Sequence, residues 1–470
     1  MSAENNNDSR PKRSHRNGGA AKSKKPAPAP RGPEKPGLRA RQAAAKILAA
    51  VIDRKTSLDG MLDSEHGNPA YRELNDADRA LVRAILNSAL RHLPRVQAAI
   101  NSLLQTPLPE GARALEHVLA VAAAQILYLD VPDHSAVDLA VEQAQNDPRN
   151  RRFANLVNAV LRRLSREKEA VLESTRHIPA MPEWFFERLI AHYGAAAAEK
   201  IAEAQLTPAA IDLSVKSEPA AWAERLGGTV LPTGSVRLGA FSGSIPSLAG
   251  FDDGGWWVQD AAASIPARLF GDLKGKRTVD LCAAPGGKTA QLILAGADVT
   301  ALDQSGSRLR RLKGNLKRLG LEAETKEVNM ADFQPEALFD AALLDAPCSS
   351  TGTTRRHPDV LWTKGPEDIE KLADLQERLL RHALTVVKPG GTVVFSNCSL
   401  DPREGEEVVA RVIGSGDNCE RVPISAADWP GLEDAITPVG EMRTTPAMLP
   451  LDAPFSSGLD GFYAAVIRRK

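Results

Sequence analysis

Residues 278–289 read TVDLCAAPGGKT, and this stretch decides the fold class of the second half of the chain. A short apolar strand ends at Cys282, a turn with two adjacent glycines follows, and an apolar helix then runs to Leu294. In open α/β sheets, ligands bind beyond the carboxyl ends of the strands. Adjacent glycines let the backbone approach a ligand closely, and the start of a helix offers unpaired N–H donors. Because the spacing matches neither the dinucleotide fingerprint nor the phosphate loop, the glycines alone indicate only a nucleotide-binding turn.

Strands and helices alternate along the rest of the chain from Gly254 onward. Apolar runs that predict further strands, with helical patterns between them, occur at residues 299–302, 324–328, 339–344 and 391–395. This alternation is typical of a doubly wound sheet with helices on both faces. We therefore predict an α/β Rossmann-like domain over residues 251–470.

Polar residues follow the second and third strands of this domain. Asp303 is placed to bind the ribose hydroxyls of a nucleotide, and it is equally well placed to cap the helix that begins near Ser305. Asn329 and Asp332 follow the third strand, and either side chain suits an adenine amino group. We favour Asn329 because it stands closer to the end of the strand.

The fourth and fifth strands deliver two cysteines and an aspartate. Residues 345–352 read DAPCSSTG and residues 396–399 read SNCS, so Asp345, Cys348 and Cys398 follow neighbouring strands. A single buried cysteine is common and inert. Two cysteines beside an acid instead indicate covalent catalysis, in which a thiolate adds to the substrate and the acid stabilises the charge that develops.

The chain before this domain has three parts. Residues 2–36 are rich in Lys, Arg and Pro and contain no aromatic, Ile, Leu or Val residue, so they cannot bury enough apolar surface to fold. A basic arm that contacts RNA phosphates and a solubilising tail explain this composition equally well. Residues 38–164 repeat apolar residues at helical spacing around a strongly apolar helix at 116–129, which predicts an all-α bundle. Residues 170–245 mix short helices with short strands.

The predicted domain organisation follows from these patterns. It comprises a disordered basic tail at 1–36, an all-α bundle at 37–168, a small α+β linker domain at 169–250 and the α/β domain at 251–470.

Composition limits the class of protein. The net charge is zero, with 59 basic and 59 acidic residues among 470, which disfavours a purely electrostatic nucleic-acid binder. No apolar run reaches membrane-spanning length, and the N-terminus lacks an apolar signal core. The four cysteines are widely spaced without a C-x-x-C pair, which argues against a metal site and against disulfides. We expect a monomeric cytoplasmic protein with reduced thiols and no membrane or metal partner.

Three blocks of the α/β domain resemble one enzyme family. Residues 280–289 read DLCAAPGGKT, residues 345–352 read DAPCSSTG and residues 397–404 read NCSLDPRE. Together they resemble the RsmB/Sun family of RNA (cytosine-C5)-methyltransferases. The runs NLKRLG at 315–320 and RRHPDVLW at 355–362 add to this resemblance.

The N-terminal bundle carries a second resemblance. The order of its helices and the run FANLVNAVLRR at residues 153–163 resemble the NusB-like RNA-binding domain. With this bundle included, the resemblance covers nearly everything after residue 37. It implies a two-part enzyme in which a helical domain precedes a methyltransferase domain.

The resemblance implies a reaction and a cofactor. A methyl group would pass from S-adenosyl-L-methionine to C5 of a cytosine in small-subunit (16S) ribosomal RNA, before the subunit is fully assembled. Cys398 would attack C6 of the base, Cys348 would assist release of the product, and Asp345 would face both base and cofactor. The residues implied to hold the cofactor are Cys282, Ala283, Ala284, Pro285, Gly286, Gly287, Lys288, Asp303, Arg308, Asn329 and Asp345.

DNA cytosine methyltransferases resemble this scheme but place the nucleophile in the Pro-Cys motif. That arrangement would make Cys348 the attacking residue. The second cysteine, in an Asn-Cys-Ser motif, favours the RNA class. The chain departs from the family pattern at Asn397 and Gly405, where Thr and Asn are usual, and at Asn329, where an acid is commoner. None of these changes removes a reacting atom.

The segment that follows the Asp345 block holds candidate RNA contacts. Basic and aromatic side chains there are suited to bind phosphates and to stack on bases. The alternative is a solvated loop with a tryptophan in the core. The candidates are Arg355, Arg356, His357 and Trp362.

Two other functions fit parts of the sequence. A tRNA cytosine-C5 methyltransferase would share the same chemistry. A non-catalytic RNA-binding ribosome assembly factor would explain the helical bundle, but such a protein has no need of Asp345, Cys348 and Cys398 together.

Overall fold

The computed structural model of the protein describes residues 35–240, 243–416 and 418–470. Residues 1–34 lie outside the described residues, so the basic tail stays a prediction. Residues 37–470 pack as one unit. No helix in the described ranges is long and apolar enough to cross a membrane, and the same ranges hold no group of three or more His, Cys, Asp or Glu suited to a metal ion.

Residues 38–175 form a helical bundle, as the apolar spacing predicts. Its helices are α1 (Leu38–Arg54), α2 (Leu58–Met61), α3 (Pro69–Arg72), α4 (Asp76–Arg91), α5 (Leu93–Leu103), α6 (Arg113–Tyr128), α7 (Asp133–Asn146), α8 (Ala154–Arg166) and α9 (Lys168–Thr175). Helix α6 is the centre of the bundle, since every residue from His117 to Leu127 is buried. Helix α4 begins where the Asn75 side chain accepts a hydrogen bond from the Asp78 N–H at 2.8 Å, with acids in the first turn.

The middle of the chain forms a small antiparallel sheet with helices. Its elements are α10 (Glu183–Tyr193), α11 (Ala195–Ala204), β1 (Asp212–Val215), α12 (Pro219–Leu226), β2 (Gly228–Val230), β3 (Val236–Leu238) and β4 (Trp256–Val258). The strand order is β2-β3-β1-β4, and Leu213 of β1 lies opposite Val258 of β4. The boundary predicted at residue 250 therefore cuts this sheet. The apolar sequence of β4 does not indicate that it pairs with β1, which lies about 40 residues earlier in the chain.

The remaining residues form the α/β domain. Its elements are α13 (Ile265–Arg268), β5 (Arg277–Asp280), α14 (Gly287–Leu294), β6 (Asp298–Asp303), α15 (Gly306–Arg318), β7 (Glu324–Glu327), β8 (Phe339–Asp345), α16 (Val360–Thr363), α17 (Pro366–Val386), β9 (Val387–Asn397), α18 (Glu406–Gly414), β10 (Cys419–Val422), β11 (Met442–Thr444) and β12 (Phe462–Arg469). The strand order is β7-β6-β5-β8-β9-β12-β10, with β11 paired to β12. This order confirms the predicted Rossmann-like fold class.

The sheet topology determines where a ligand can bind. Strands β7, β6, β5, β8 and β9 are parallel, whereas β12 runs antiparallel to β9. The chain winds outward from β5 through β6 to β7, and then returns to the other side of β5 with β8 and β9. The strand order therefore reverses between β5 and β8, and in open α/β sheets the ligand crevice lies at such a point.

Candidate active site

A cavity of about 350 Å³ lies at the carboxyl edge of the parallel strands. Its walls include residues that follow each of the five parallel strands, namely Cys282, Asp303, Asn329, Asp345, Cys348 and Cys398. A second cavity of about 200 Å³ adjoins it, and Cys282, Ala284 and Asp345 line both. The fold thus brings together residues that are more than 100 positions apart in the sequence.

The turn after β5 is shaped by one glycine. Gly286 has a φ of 103°, in the region that favours glycine, and caps the N-terminus of α14. A Cβ at this position would lie 3.0 Å from Cγ of Leu312. The turn therefore lies close against α15, and it presents Ala283, Pro285 and Gly287 to the second cavity.

Asp303 at the end of β6 is buried, with 3% of its surface exposed. Its Oδ1 accepts the N–H of Ser305 at 3.0 Å. Ser305 itself is the N-cap of α15, so capping is not the role of Asp303. The other oxygen, Oδ2, lies 3.3 Å from Arg308 Nη1 but accepts no hydrogen bond. A buried carboxylate oxygen without a hydrogen-bond donor, in a cavity wall, is suited to a hydroxyl group of a ligand.

Arg308 and Asn329 complete this side of the cavity. Arg308 Nη2 donates to the carbonyl oxygen of Ala284 at 2.8 Å, which ties α15 to the glycine turn. Asn329 lies in the cavity wall and accepts the N–H of Ala331 at 3.2 Å. Asp332 is exposed. Of the two candidates for an adenine contact, Asn329 therefore lines the cavity and Asp332 does not.

The two cysteines meet between β8 and β9. Cys348 Sγ lies 3.4 Å from Cys398 Sγ, within hydrogen-bonding distance for sulfur. The loops are joined by backbone bonds, because the Ala346 N–H donates to Ser396 O at 2.8 Å and the Gly352 N–H donates to Cys398 O at 2.9 Å. Parallel pairing of β8 with β9 sets Asp345 opposite Ser396, and this register aligns the two loops.

The two thiols differ in acidity. The hydrogen bond from Cys348 lowers the pKa of Cys398, against the opposing effect of burial. The same hydrogen bond, together with burial, raises the pKa of Cys348. Burial raises the pKa of Cys282 to about 12. The thiolate is the reactive form of a cysteine, so this difference bears on which of the two thiols can act as a nucleophile.

Asp345 is held by two donors. Lys288 Nζ lies 2.7 Å from Asp345 Oδ2, and Ser396 Oγ donates to Asp345 Oδ1 at 2.9 Å. Lys288 lines the second cavity together with Asp345, whereas the first cavity, with Asp303 and Asn329, does not include it. The sequence predicts that Lys288 contacts the cofactor. In the structure its partner is the carboxylate of Asp345, which lies between the two cavities.

Comparison with known proteins agrees with this geometry. A family described as 16S rRNA methyltransferase RsmB/F matches residues 271–468, and the NusB family matches residues 38–166. A relative from Vibrio vulnificus, ribosomal RNA small subunit methyltransferase B, is 34% identical over 92% of this chain and 99% of its own length. The chain belongs to the RsmB/F family.

Solved structures extend the comparison of this RsmB/F chain. A methyltransferase homolog protein from Pyrococcus horikoshii is 27% identical, with a TM-score of 0.52, over 62% of this chain and 95% of its own. NSun6 from the same organism, solved with the S-adenosylmethionine analogue SFG, is 19% identical with a TM-score of 0.52, over 62% of this chain and 99% of its own. The RsmB/F chain is an RNA methyltransferase, and its cofactor is S-adenosyl-L-methionine.

The residues of the first cavity fit this cofactor. The Oδ2 of Asp303, which accepts no hydrogen bond, suits a ribose hydroxyl, and the amide of Asn329 in the cavity wall suits an adenine. Leu375 and Leu379, one helical turn apart on α17, give the cavity an apolar wall. When bound, S-adenosylmethionine supplies a methyl group on a positively charged sulfur.

The four predicted RNA contacts have structural partners in this RsmB/F chain. Arg355 is 2% exposed and donates to the carbonyl oxygens of Thr207 and Ser457. Arg356 donates to the carboxylates of Asp260 and Asp460, both of which are buried. Both guanidinium groups are engaged by acceptors within the protein; Arg355 is buried, whereas 23% of the Arg356 side chain is exposed. Both arginines therefore have a structural role, and their contact with RNA stays a prediction.

His357 and Trp362 join the α/β domain to the helical bundle. His357 Nδ1 lies 3.2 Å from the Asp59 carboxylate, and Trp362 Nε1 donates to the Leu90 carbonyl oxygen at 2.9 Å. The Trp362 ring packs against the core of the bundle. The alternative interpretation of this segment is a solvated loop with a tryptophan in the core. Trp362 does pack against a core, but Arg355, Arg356 and His357 bind other parts of the protein and do not form a solvated loop.

Sequence reasoning missed the residues that support the reacting groups. Ser396 binds Asp345, and a buried glutamate, Glu404, accepts the Ser349 N–H at 2.8 Å. Asn397 accepts the Ser399 N–H at 2.9 Å and donates to the Glu404 carbonyl oxygen, so it holds the loop around Cys398. The position of Ser396 follows from the pairing of β8 with β9. Glu404 closes the NCSLDPRE block at residues 397–404, but that block does not by itself indicate the role of this residue.

Proposed function

We propose that this chain transfers a methyl group from S-adenosylmethionine to C5 of a cytosine in small-subunit ribosomal RNA through a covalent bond to Cys398. The observation that carries this proposal is the 3.4 Å approach of Cys348 and Cys398 at the wall of the cofactor cavity, beside Asp345. A methyltransferase that acts on an oxygen or nitrogen atom has no need of two adjacent thiols. C5 of cytosine does need one, because this carbon is a poor nucleophile until a thiolate adds to C6.

The proposed reaction has three steps. The Cys398 thiolate forms a bond to C6, and the electrons of the C5–C6 double bond make C5 nucleophilic. C5 then takes the methyl group from the cofactor. Finally a base removes the C5 proton, the double bond forms again, and the bond between C6 and sulfur breaks to return the Cys398 thiolate.

The neighbouring groups support particular steps. Asp345, held by Lys288 and Ser396, stands between the two cavities and is suited to stabilise the polarised ring of the base. Cys348 retains its proton because its pKa is raised, and its thiol is placed to donate a hydrogen bond to Cys398 as this residue leaves C6. This arrangement favours Cys398, rather than Cys348, as the nucleophile.

The proposed substrate is ribosomal RNA before the small subunit is fully assembled. The relative from Vibrio vulnificus is named for the small-subunit ribosomal RNA, which supports this choice over transfer RNA. A cytosine must leave its stack to reach a pocket that is lined by strand ends, and unpaired RNA makes this step less costly.

The test is transfer of radioactive methyl from labelled S-adenosylmethionine to unmodified small-subunit RNA, with total tRNA as the competing substrate. We expect the wild-type protein to label cytosine C5 in the ribosomal RNA. Cys398→Ala should be inactive, and Cys348→Ala should accumulate a covalent complex with RNA. The cofactor affinity of both variants, measured by calorimetry, should match the wild type.

Three outcomes would contradict the proposal. An active Cys398→Ala with an inactive Cys348→Ala would show that the nucleophile is Cys348. Label in tRNA alone would show that the substrate is tRNA. Absence of label in any RNA, with intact cofactor binding, would favour the ribosome assembly factor.

A further inference from the structure

A buried glutamate lies beneath the two cysteine loops. Glu404 is 0% exposed. Its Oε1 accepts the backbone N–H of Ser349 at 2.8 Å and the Nε2 amide of Gln376 at 3.0 Å. Its Oε2 accepts the hydroxyl of Ser349. One carboxylate thus satisfies three donors from two separate parts of the chain.

Both donor residues hold the loop that carries Cys348: Ser349 belongs to that loop, and Gln376 lies on α17 beside it. Ser349 follows Cys348, and Gln376 also donates to the carbonyl oxygen of Pro347 at 2.8 Å, so the loop is held on both sides of Cys348. The Ser349 hydroxyl lies 3.2 Å from the hydroxyl of Ser399, the residue after Cys398. The carboxylate of Glu404 therefore connects the two loops through a continuous chain of hydrogen bonds.

Glu404 has no ion-pair partner among the described residues. The adjacent Arg403 pairs with Glu370, and Arg443, which reaches the Ser399 carbonyl oxygen, pairs with Glu406 at 2.6 Å. A buried carboxylate without a cation is costly, and its three hydrogen bonds offset only part of that cost. Glu404 is thus a buried carboxylate, without an ion pair in the described part of the chain, that lies directly behind the two thiols. This position points to a role in the reaction.

The negative charge of Glu404 acts on the thiol of Cys348. It adds to the effects of the Cys398 hydrogen bond and of burial that raise the pKa of Cys348. Two effects dominate the pKa of Cys398: the hydrogen bond with Cys348 lowers it, and burial raises it. The charge therefore supports the difference in acidity between the two cysteines.

We propose that Glu404 is a positioning residue, which fixes the loops of Cys348 and Cys398 at the 3.4 Å approach of their sulfur atoms. This inference rests on the proposed function, since it assigns a purpose to the two-cysteine geometry. Glu404 itself lines neither cavity, so it acts through Ser349 and Gln376 rather than on the substrate.

The test compares Glu404→Gln with Glu407→Gln, an exposed glutamate three residues further along the same segment. We expect Glu404→Gln to remain folded, to bind S-adenosylmethionine as the wild type does, and to lower kcat for RNA methylation by roughly tenfold or more. KM for RNA should change little, because Glu404 is remote from the surface. Glu407→Gln should match the wild type throughout.

A second measurement separates positioning from simple loss of structure. The rate of alkylation of Cys348 by iodoacetamide is followed against pH, with the Cys348 peptide quantified by mass spectrometry. Loss of the negative charge in Glu404→Gln should move the midpoint for Cys348 to lower pH. A merely structural role for Glu404 predicts an unchanged midpoint in the folded variant.

Ser349→Ala keeps the test decisive if Glu404→Gln fails to fold. It removes one hydroxyl donor to Glu404 and leaves the backbone bond, so kcat should fall several-fold with cofactor binding intact. A wild-type kcat in folded Glu404→Gln, or in Ser349→Ala where the first variant is unfolded, overturns the inference. If the wild type itself labels no cytosine, the proposed function fails instead, and the two failures are distinguished by this parallel assay.

Discussion

Lys288 and Asp345 form an ion pair of 2.7 Å between Nζ and Oδ2, at the wall that the two cavities of the active site share. The pair is partly shielded from water, since 13% of the lysine side chain and 30% of the aspartate side chain are exposed. The ammonium group fixes one carboxylate oxygen, and Ser396 fixes the other. The carboxylate is therefore held in one orientation before a base arrives.

Replacement of Lys288 with Met should lower kcat by roughly tenfold, because Asp345 loses both its counter-charge and its orientation. Cofactor affinity should change less than twofold, since Lys288 does not line the cavity that holds Asp303 and Asn329. Initial rates of methyl transfer and calorimetric titration with S-adenosylmethionine check these two expectations. A large loss of cofactor affinity at unchanged kcat would mean that Lys288 binds the cofactor directly.

Asp303→Ala should weaken binding of S-adenosylmethionine by roughly tenfold or more, because a hydrogen bond to a charged group contributes about 1.5–3 kcal/mol. The Oδ2 of Asp303, which accepts no hydrogen bond, is the atom expected to make this bond. Calorimetric titration measures the change. Asp298→Ala, at the exposed start of the same strand, is the matched control and should bind the cofactor normally. Equal affinities in the two variants would contradict the predicted contact.

Arg356→Ala should lower the free energy of unfolding by about 3–5 kcal/mol, because removal of one partner leaves buried charges uncompensated. The charges in question are those of Asp260 and Asp460, each with 5% of its side chain exposed. Urea-induced unfolding measures this loss, and Arg310→Ala, on the exposed face of α15, provides the control. Unchanged stability with weakened RNA binding would instead support the RNA-contact hypothesis for Arg356.

The contact between His357 and Asp59 should make stability depend on pH. The hydrogen bond to Asp59 raises the pKa of His357, so its contribution is fully present below the unfolded pKa of about 6.5. The contribution is lost as the pH rises through the higher pKa of the folded state. Thermal unfolding of wild type and Asp59→Asn should therefore differ near pH 6 and converge at alkaline pH. A difference that grows with pH would contradict this assignment.

The sequence predicted strands β5 to β9 and the edge of the sheet at which the site lies. Short apolar runs and the glycine turn at Gly286 carry local information, so these five strands follow from pattern alone, whereas their order in the sheet comes from the structure. Because parallel strands end at one edge, Asp345, Cys348 and Cys398 were expected to meet, and they do.

The roles of charged side chains were harder to predict, since they depend on partners far away in the chain. Arg356 binds acids 96 and 104 residues distant, and nothing in the RRHPDVLW run distinguishes such a residue from a phosphate ligand. Glu404 is similar, because its donors Ser349 and Gln376 lie 55 and 28 residues earlier. Burial and pairing of this kind become visible only when the tertiary structure is known.

The segment from Arg355 to Trp362 serves two domains at once. It continues directly from the loop of Cys348, and it receives the Arg91 side chain at the Arg355 carbonyl oxygen and the Lys55 ammonium at the Trp362 carbonyl oxygen. Its Asp359 accepts the Leu58 N–H at 2.9 Å. The helical bundle is consequently not an interchangeable module. A chimera that exchanges only the bundle would leave the catalytic loop without its support, so bundle and segment must be transplanted, and must evolve, as a matched pair.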